Sequence, residues 1–370
     1  MKIEEVKSIE DVKVLVAQGF TDWKTVGDVS VKDVGFGWLF NYTARATFEN
    51  RWNAFEQMSR GLIVSKDGSK VIARPFDKFW NWGERGRQTG APLLYAMEKM
   101  DGSMGAVFWN PVNSRWQVST RGSVDSEQAQ WATRQLKNYD LSMLDRGLVS
   151  PKTLIVEIVY PENRIVVDYQ GKSGLFLLAV RDNDSGKYVD HDVLMNVARE
   201  AGFPVPTMYR PKDADALVSS LDSLSVNEEG FVAVFADGHR FKFKGGEYLK
   251  AHKVLSGINY SRTVQYVIDD DIEALLEIVP DEWLDEVKGW LAEIHEEIKS
   301  MEDLVESLVD EGEDMEAKEF VFMLKALDVE GLVFACAMKA FRGHEYRQEI
   351  LKSLKKKAAS KTVLFSRFSQ

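Results

Sequence analysis

The sequence predicts an α+β protein: an N-terminal domain of antiparallel sheets with flanking helices, followed by an all-helical C-terminal domain. Up to about residue 255, short apolar runs alternate with turn residues at hairpin spacing. Beyond that point apolar residues recur every three or four positions, which is the period of one helix face. We place the boundary in the segment "SGINYS", so the predicted domains are 1–256 and 257–370.

The N-terminal apolar runs predict strands joined in hairpins, with amphipathic helices between them. Asp-Gly and Asn-Asp-Ser-Gly segments supply the turns. The strand-forming segments, in order, are "GLIVSKDGSKVIARPF", "GAVFWNPVNSRWQVS", "TLIVEIVY", "GLFLLAVRDNDSGKYV" and "EGFVAVFADGHRFKFK". The helical segments are "SEQAQWATRQLKNYD" and "HDVLMNVAREAG". Interspersed hairpins and helices favour this arrangement over a doubly wound parallel sheet.

The C-terminal part begins with a long amphipathic helix. Its predicted apolar face consists of Leu284, Val287, Leu291, Ile294, Ile298, Met301, Val305 and Leu308. The segments "EAKEFVFMLKAL", "GLVFACAMKAF" and "HEYRQEILKSLKKK" continue the helical pattern. The single cysteine, Cys336, lies in the second of these and is expected to be a small core residue.

The composition is that of a soluble globular protein with a sizeable core, since 45% of its 370 residues are hydrophobic. One cysteine excludes a disulfide framework, and the N-terminus has acids where a secretory signal has an apolar core. No apolar run approaches the length of a membrane span. We therefore expect a cytoplasmic protein without a membrane partner.

The net charge of −11 argues against a nucleic-acid partner, but the charges are segregated. Acids crowd residues 268–320. Basic residues cluster in "ARPFDKFWNWGERGR", "RFKFKGGEYLKAHK" and "LKSLKKKAASK". A local basic cleft can therefore exist within an acidic chain.

Lys99 is the first candidate for chemistry. It precedes an Asp101-Gly102-Ser103 turn and the apolar run "MGAVFW". A lysine attacks phosphorus only as the free amine, so burial and neighbouring cations must favour loss of its proton. The alternative is an exposed lysine in a hairpin turn, since both residue types are common there.

Acidic and basic residues later in the chain strengthen the chemical interpretation. Glu157 lies within a strongly apolar strand, and Glu229 directly precedes another. Buried carboxylates are rare unless they are paired or bind a ligand, although Glu157 could instead face outward at an edge. Lys242 and Lys244 are two apart and so lie on one face of a strand. They indicate either a solvated edge or two cations directed at one polyphosphate.

Taken in order, these motifs resemble those of the covalent nucleotidyltransferases, which include ATP-dependent DNA ligases, RNA ligases and mRNA capping enzymes. Within that superfamily the chain resembles the RNA ligase 1 family of T-even bacteriophages, the tRNA-repair type. The resemblance covers most of the chain and fades in the helical C-terminal part. It extends through "SRGLIV", "RPFDKFWNWGE", "RGSVDSEQA", "YPENRIVVDYQ" and "VRDNDSGKY". DNA ligases and capping enzymes follow the last lysine motif with a strand-rich domain, so acidic helices here favour an RNA ligase.

The resemblance implies an adenylyltransferase, or ligase-type nucleotidyltransferase, domain at 1–256. It implies an RNA-end and tRNA-specificity domain at 257–370. Lys99 would attack the α-phosphate of ATP and release pyrophosphate. The residues that would hold phosphate oxygens are Arg60, Lys78, Lys242 and Lys244. Positioned cations of this kind are the main catalytic device of phosphoryl transfer.

Three carboxylates are implied near ATP and its metal ion. Glu157 would bind the ribose or orient metal-bound water, and Glu229 would lie close to Lys99 and the metal. Asp101 would be within reach of either. The implied cofactors are ATP and Mg²⁺, for which Mn²⁺ can substitute. Mg²⁺ keeps several waters, so one or two carboxylates suffice for each ion.

Four further residues are candidates for the nucleotide site. Gly102 would let a ligand approach the backbone closely. Arg121 stands where the family usually has lysine, and the two are not equivalent when one oxygen must be contacted. Phe40 stands where the family tends to have tyrosine. Trp80 stands where it tends to have phenylalanine, and its alternative is a core aromatic.

The expected function is that of an ATP-dependent RNA ligase acting in three steps. Lys99 is adenylated, AMP passes to an RNA 5′-phosphate, and a 3′-hydroxyl attacks and expels AMP. The expected partner is RNA with 5′-phosphate and 3′-hydroxyl ends, and the resemblance implies broken tRNA. The protein is expected to be a monomer. Its expected location is the cytoplasm, which is that of the host cell if a phage encodes it. The alternatives are another covalent nucleotidyltransferase, of DNA ligase or capping type, and a non-catalytic RNA-binding protein.

Overall fold

The fold was analysed in a computed structural model that describes residues 3–19, 25–145 and 151–367. It confirms the predicted α+β class, with sheets in the N-terminal part and helices in the C-terminal part. The chain divides into two compact units, Met1–Leu255 and Ser256–Gln370. None of the described helices is both long enough and apolar enough to cross a membrane.

The strands all lie in the first unit. They are β1 (Thr25–Val26), β2 (Val29–Asp33), β3 (Gly37–Tyr42), β4 (Arg60–Ser65), β5 (Val71–Ala73), β6 (Trp80–Asn81), β7 (Leu93–Glu98), β8 (Ser103–Asn110), β9 (Arg115–Ser119), β10 (Lys152–Val159), β11 (Gly174–Asp182), β12 (Met208–Tyr209), β13 (Gly230–Phe235) and β14 (Arg240–Lys244).

The helices lie in both units. They are α1 (Ile9–Ala17), α2 (Ala44–Glu49), α3 (Ala54–Met58), α4 (Glu127–Gln135), α5 (Ser142–Asp145), α6 (His191–Ala201), α7 (Ala214–Ser220), α8 (Gly246–Ser256), α9 (Tyr260–Ile268), α10 (Ile272–Ile278), α11 (Leu284–Glu311), α12 (Ala317–Ala326), α13 (Gly331–Phe341) and α14 (Arg347–Arg367).

Three sheets organise the first unit. One is a five-stranded antiparallel sheet in the order β1-β2-β3-β4-β5, and the second has the order β11-β10-β8-β9. The third has the order β12-β7-β13-β14-β6, and only its edge pair β14–β6 is parallel. This edge pair, which the sequence did not predict, brings the segment after β5 alongside β14.

The second and third sheets are built around strands whose ends carry the candidate site residues. β10 is central in its sheet and almost continuously buried, which explains its unbroken apolar sequence. β7 and β13 are central in the third sheet, and Phe231 of β13 lies opposite Glu98 of β7. The chain leaves β7 through Lys99, passes the Gly102 turn and enters β8 in the other sheet. Lys99 therefore lies in the segment that connects the third sheet to the second.

The second unit is helical, as predicted. On α11 the expected apolar residues are buried, except Met301, which is half-buried. Of these, Ile294, Ile298 and Val305 pack with residues of α9, α13 and α14, among them Val264, Cys336 and Ile350. Cys336 is buried in this core, which confirms the expectation for it.

Candidate active site

Backbone pairing brings Lys99 to the start of β13. Its amide donates to the carbonyl of Gly230 at 2.8 Å. Gly230 also lies opposite Lys244 in the β13–β14 hairpin. Glu229 therefore stands between two lysines: its Oε1 is 2.7 Å from the Nζ of Lys99 and 3.4 Å from the Nζ of Lys244. Three residues that the sequence places far apart are thus joined in one ionic cluster.

Gly230 is required for this close approach. Its φ is +137°, a conformation that residues with a side chain rarely adopt. A Cβ built at this position would lie 1.9 Å from the carbonyl oxygen of Phe243 on the neighbouring strand. Because residue 230 is a glycine, the chain can approach β14 closely and the Glu229 carboxylate lies beside the end of that strand.

Glu157 comes to the same place from β10, where it lies opposite Met104 of β8. A Cβ on Gly102 would be 2.6 Å from the carbonyl oxygen of Ile158. Gly102 was predicted to let a ligand approach, and it does line the cavity described below. Its tight contact, however, is with the β10 backbone, so the glycine draws the Lys99 turn towards Glu157.

The charge state of Glu157 is set mainly by burial. Burial raises its pKa from 4.5 to about 8, the Lys99 ammonium opposes this rise, and the Glu229 carboxylate adds to it. Without a cation beside it, Glu157 is thus largely uncharged near neutral pH. Glu157 holds its proton in the folded chain at pH values where it would lose it in the unfolded chain.

This shift predicts that stability depends on pH. Because the folded pKa of Glu157 lies above the unfolded value, its contribution is fully present below about pH 4.5 and is lost as pH rises through about 8. Glu157→Gln carries no titrating proton. We expect the unfolding free energy of the unmodified chain to fall relative to that of Glu157→Gln between pH 5 and 8, as measured by urea denaturation. Parallel stability curves for the two proteins would contradict the assignment.

Asp101 has a structural role, and this corrects its prediction as a metal ligand. Its Oδ2 accepts hydrogen bonds from the backbone amides of Val166 and Val167, both at 2.7 Å. Its Oδ1 accepts one from the hydroxyl of Tyr248 at 2.9 Å. Both oxygens of this buried carboxylate accept hydrogen bonds. These bonds hold the Lys99 turn against the segment after β10 and against α8.

Removing one of these bonds has a measurable cost. Tyr248→Phe leaves an oxygen of the buried Asp101 without its donor, and we expect the unfolding free energy to fall by about 1–3 kcal/mol in urea denaturation. Tyr209→Phe is the matched control, because that tyrosine is 42% exposed. Its effect should stay within about 0.5 kcal/mol. Equal effects of the two substitutions would show that the Asp101 network does not hold the turn.

A cavity of about 220 Å³ adjoins the ionic cluster. Its polar end is lined by Arg60, Lys99, Gly102, Glu157 and Lys242. Its other end is mainly apolar and is lined by Tyr95, Val189, Leu194 and Val234 among others. Arg60 begins β4, and its Nη1 lies 2.7 Å from the Sδ of Met104. A polar end with four charged groups and a largely apolar far end suit a phosphate joined to a flat, weakly polar group.

The other predicted nucleotide-binding residues lie outside this cavity. Lys78 and Trp80 line a second cavity of about 420 Å³, which shares Phe79, Tyr188 and Arg240 with the first. The Arg87 guanidinium lies over the ring of Trp80, 4.5 Å from the ring centroid. Lys78 is buried, with its Nζ 5.2 Å from the ring centroid of Trp52. The structure thus separates this pair from the Lys99 cluster.

Phe40 is a core residue, which corrects its assignment to the nucleotide site. It is fully buried and packs edge-on against Phe55. Tyr42, two residues further along β3, is the tyrosine of this region. Its hydroxyl accepts a hydrogen bond from Arg121 at 3.3 Å, and its ring lies 5.6 Å from the Nζ of Lys78. The sequence interpretation missed Tyr42, although strand alternation places it on the same face as Phe40.

Glu157 and Glu229 are the described carboxylates near Lys99 that fit a divalent cation. Glu229 is 3% exposed, and its Oε2 is buried without a hydrogen-bond partner. Within the described ranges, no group of three or more histidine, cysteine or acidic side chains is arranged to hold a metal ion. Two carboxylates nevertheless suffice for Mg²⁺ when phosphate oxygens and water complete its coordination.

Comparisons with known proteins identify the family of the chain. A family model described as RNA ligase matches residues 58–249, more than half of the chain. A protein of Thermovibrio ammonificans whose name proposes an RNA ligase is 28% identical over 226 residues, which cover 58% of this chain and 57% of that protein. The RNA ligase of Rhodothermus phage RM378 is 24% identical over 329 residues, which cover 69% of this chain and 72% of the phage protein.

Among solved structures, an archaeal ATP-dependent RNA ligase aligns over 74% of this chain and 76% of its own, with 15% sequence identity and a TM-score of 0.48. The chain spans little more than half the length of the Thermovibrio protein.

Proposed function

The chain belongs to the RNA ligase family, and from this membership we propose that it joins RNA ends with ATP through a covalent lysyl-AMP on Lys99. The observation that carries the proposal is the placement of Lys99. Its Nζ lines a cavity with cations at one end and mainly apolar walls at the other, and it is held by Glu229 beside Lys244.

In the first step the neutral amine of Lys99 attacks the α-phosphorus of ATP. A phosphorus–nitrogen bond forms, the bond to the bridging oxygen breaks, and pyrophosphate leaves. Arg60, Lys242 and Lys244 stand where they would stabilise the charge that develops on the phosphate oxygens. We assign Lys78 and Arg121, which flank Tyr42, to the more distant phosphates.

The ion pair between Lys99 and Glu229 holds the amine in place. The amine can attack phosphorus only after it leaves this contact, because its nitrogen must be free to form the new bond. Glu229 and Glu157 are the residues that would hold Mg²⁺, which supplies charge neutralisation at the phosphates when bound. Engagement of Glu229 in that role would remove its contact with the Lys99 amine.

In the second step an oxygen of the RNA 5′-phosphate attacks the lysyl-AMP phosphorus. The phosphorus–nitrogen bond breaks and the amine is regenerated. In the third step the RNA 3′-hydroxyl attacks the 5′-phosphate, a phosphodiester forms, and AMP leaves. The second and third steps use the same cationic cluster, because negative charge again develops at the transferred phosphate.

The more specific proposals rest on the resemblance to the T-even phage type. They are a broken tRNA as substrate, Mg²⁺ as the metal ion, a monomeric state and action in the cytoplasm. On this view residues 1–256 transfer the adenylate and residues 257–370 present the RNA ends. RNA ends and loops are recognised mainly by shape and by unstacked bases.

A DNA ligase or capping activity is the second candidate. Helices alone follow β14 among the described residues, which does not favour the strand-rich domain expected of those enzymes. The two functions are separated by incubating the protein with ATP or GTP and then with 5′-phosphorylated single-stranded RNA or nicked DNA. We expect ATP-dependent joining of RNA. Sealing of DNA nicks without RNA joining, or a requirement for GTP, would contradict the proposal.

A further inference from the structure

Arg240 has no role in the mechanism above, yet it lines the same cavity. It is the first residue of β14, and strand alternation places it on the same face as Lys242 and Lys244. Two residues of a strand span about 7 Å, so Arg240 lies about 13 Å from Lys244 along the strand. The row of three cations therefore runs from the Lys99 cluster to the apolar end of the cavity.

The guanidinium of Arg240 has few polar partners. Its centre lies 3.6 Å from the ring centroid of Tyr188 and 5.5 Å from that of Phe76. Its one hydrogen bond is a long one, 3.5 Å, from Nη1 to the carbonyl oxygen of Gly238. No described carboxylate lies within ion-pair distance of it.

Asp77, an acidic residue near Arg240, is already paired with another arginine. Asp77 holds Arg181 through two hydrogen bonds of 2.9 and 2.6 Å. The Arg240 side chain is half-buried, and this burial lowers the pKa of its guanidinium. An acceptor on a bound ligand would compensate for the partial burial of this cation.

If Lys99 forms the proposed lysyl-AMP, the group that lies at the apolar end of the cavity is the adenine base. With the phosphate bonded to Lys99, the adenosine would occupy the rest of the cavity, whose lining includes Tyr95, Val189 and Leu194. These walls suit a flat ring system, and adenine carries acceptors only at its ring nitrogens. Arg240 lies at the edge of this slot, with donors arranged in a plane and its ring contacts fixing that plane.

We propose that Arg240 donates a hydrogen bond to a ring nitrogen of adenine and is a specificity-determining residue for the nucleotide. This inference rests on the proposed adenylate chemistry, because it assigns the base end of the same cavity. It predicts that Arg240 contributes to nucleotide affinity, whereas Lys242 and Lys244 act on the phosphates.

The test measures binding without chemistry, in the full-length Lys99→Ala protein. Isothermal titration is carried out with ATP and with its 1-deaza, 3-deaza and 7-deaza analogues, each of which replaces one ring nitrogen by a CH group. We expect one analogue to bind about tenfold more weakly than ATP, since a hydrogen bond from a charged donor is lost. In Lys99→Ala/Arg240→Met that difference should disappear, because ATP binding itself is weakened to the level of the analogue.

Arg115→Met in the Lys99→Ala background is the matched control, because Arg115 is an exposed arginine at the start of β9. It should leave the pattern of analogue affinities unchanged. Equal binding of ATP and all three analogues by Lys99→Ala would overturn the inference without any change at Arg240. Persistence of the same tenfold loss in the Arg240→Met double variant would overturn it as well. Failure of the proposed function is distinguished from both results, because the unmodified protein would then form no covalent AMP adduct.

Discussion

Lys99→Arg is expected to abolish ATP-dependent joining of RNA ends, with a loss on the order of 10⁴-fold or more, as for removal of a catalytic nucleophile. Arginine keeps a positive charge beside Glu229, so the ionic cluster and the fold should survive. It has no amine that can lose a proton near neutral pH, and therefore it cannot attack the α-phosphorus. The rate of sealing of a 5′-phosphorylated RNA measures the effect.

A second substrate separates the loss of the nucleophile from general damage to the site. RNA that already carries a 5′-adenylate needs only the third step, in which Lys99 forms no bond. The Lys99→Arg protein should seal this RNA within about an order of magnitude of the unmodified protein, because the remaining cations are intact. ATP-dependent sealing by Lys99→Arg would show that another residue carries the AMP.

Glu229→Gln is expected to have the next largest effect. The carboxylate is 3% exposed and contacts both Lys99 and Lys244, so its neutralisation leaves two like charges without a counter-ion. Breaking a buried pair of this kind lowers the unfolding free energy by about 3 kcal/mol. Because Glu229 is also one of the two residues that would hold the metal ion, the rate of adduct formation should fall by about 10²-fold. Single-turnover labelling with ATP measures this rate.

Glu228→Gln is the matched control for this substitution. Glu228 is adjacent but exposed, and its Oε2 accepts hydrogen bonds from the backbone amide and hydroxyl of Ser225. Its replacement should change the labelling rate by less than about twofold, since exposed substitutions have small effects. If both substitutions slow labelling equally, the effect comes from the turn before β13 and not from the ion pair.

Much of this arrangement could be predicted from local sequence patterns. Strand alternation was sufficient to place Lys242 and Lys244 on one face. The apolar surroundings of Glu157 indicated a buried carboxylate, and the side chain is half-buried in the folded chain. The helix period identified the buried face of α11. In each case the deciding interactions lie within one strand or one helix.

The corrections concern contacts between distant segments. Asp101 could not be separated from a metal ligand by its sequence, because its partners Val166, Val167 and Tyr248 come from two later elements. Phe40 and Tyr42 share a strand face. Their different surroundings depend on packing of that face, with Phe40 against Phe55 and Tyr42 beside Arg121. The sequence does not distinguish Arg240 from other arginines, because its lack of an ion pair is visible only in the fold.

The account depends most directly on a covalent bond between AMP and Lys99. The decisive measurement is incubation of the unmodified protein with α-labelled ATP and Mg²⁺, followed by acid treatment, proteolysis and mass spectrometry of the labelled peptide. The account predicts an acid-stable AMP adduct on Lys99, released when pyrophosphate is added back to the native adduct. Label on Lys242, Lys244 or any other residue, or the absence of a covalent adduct, would contradict it.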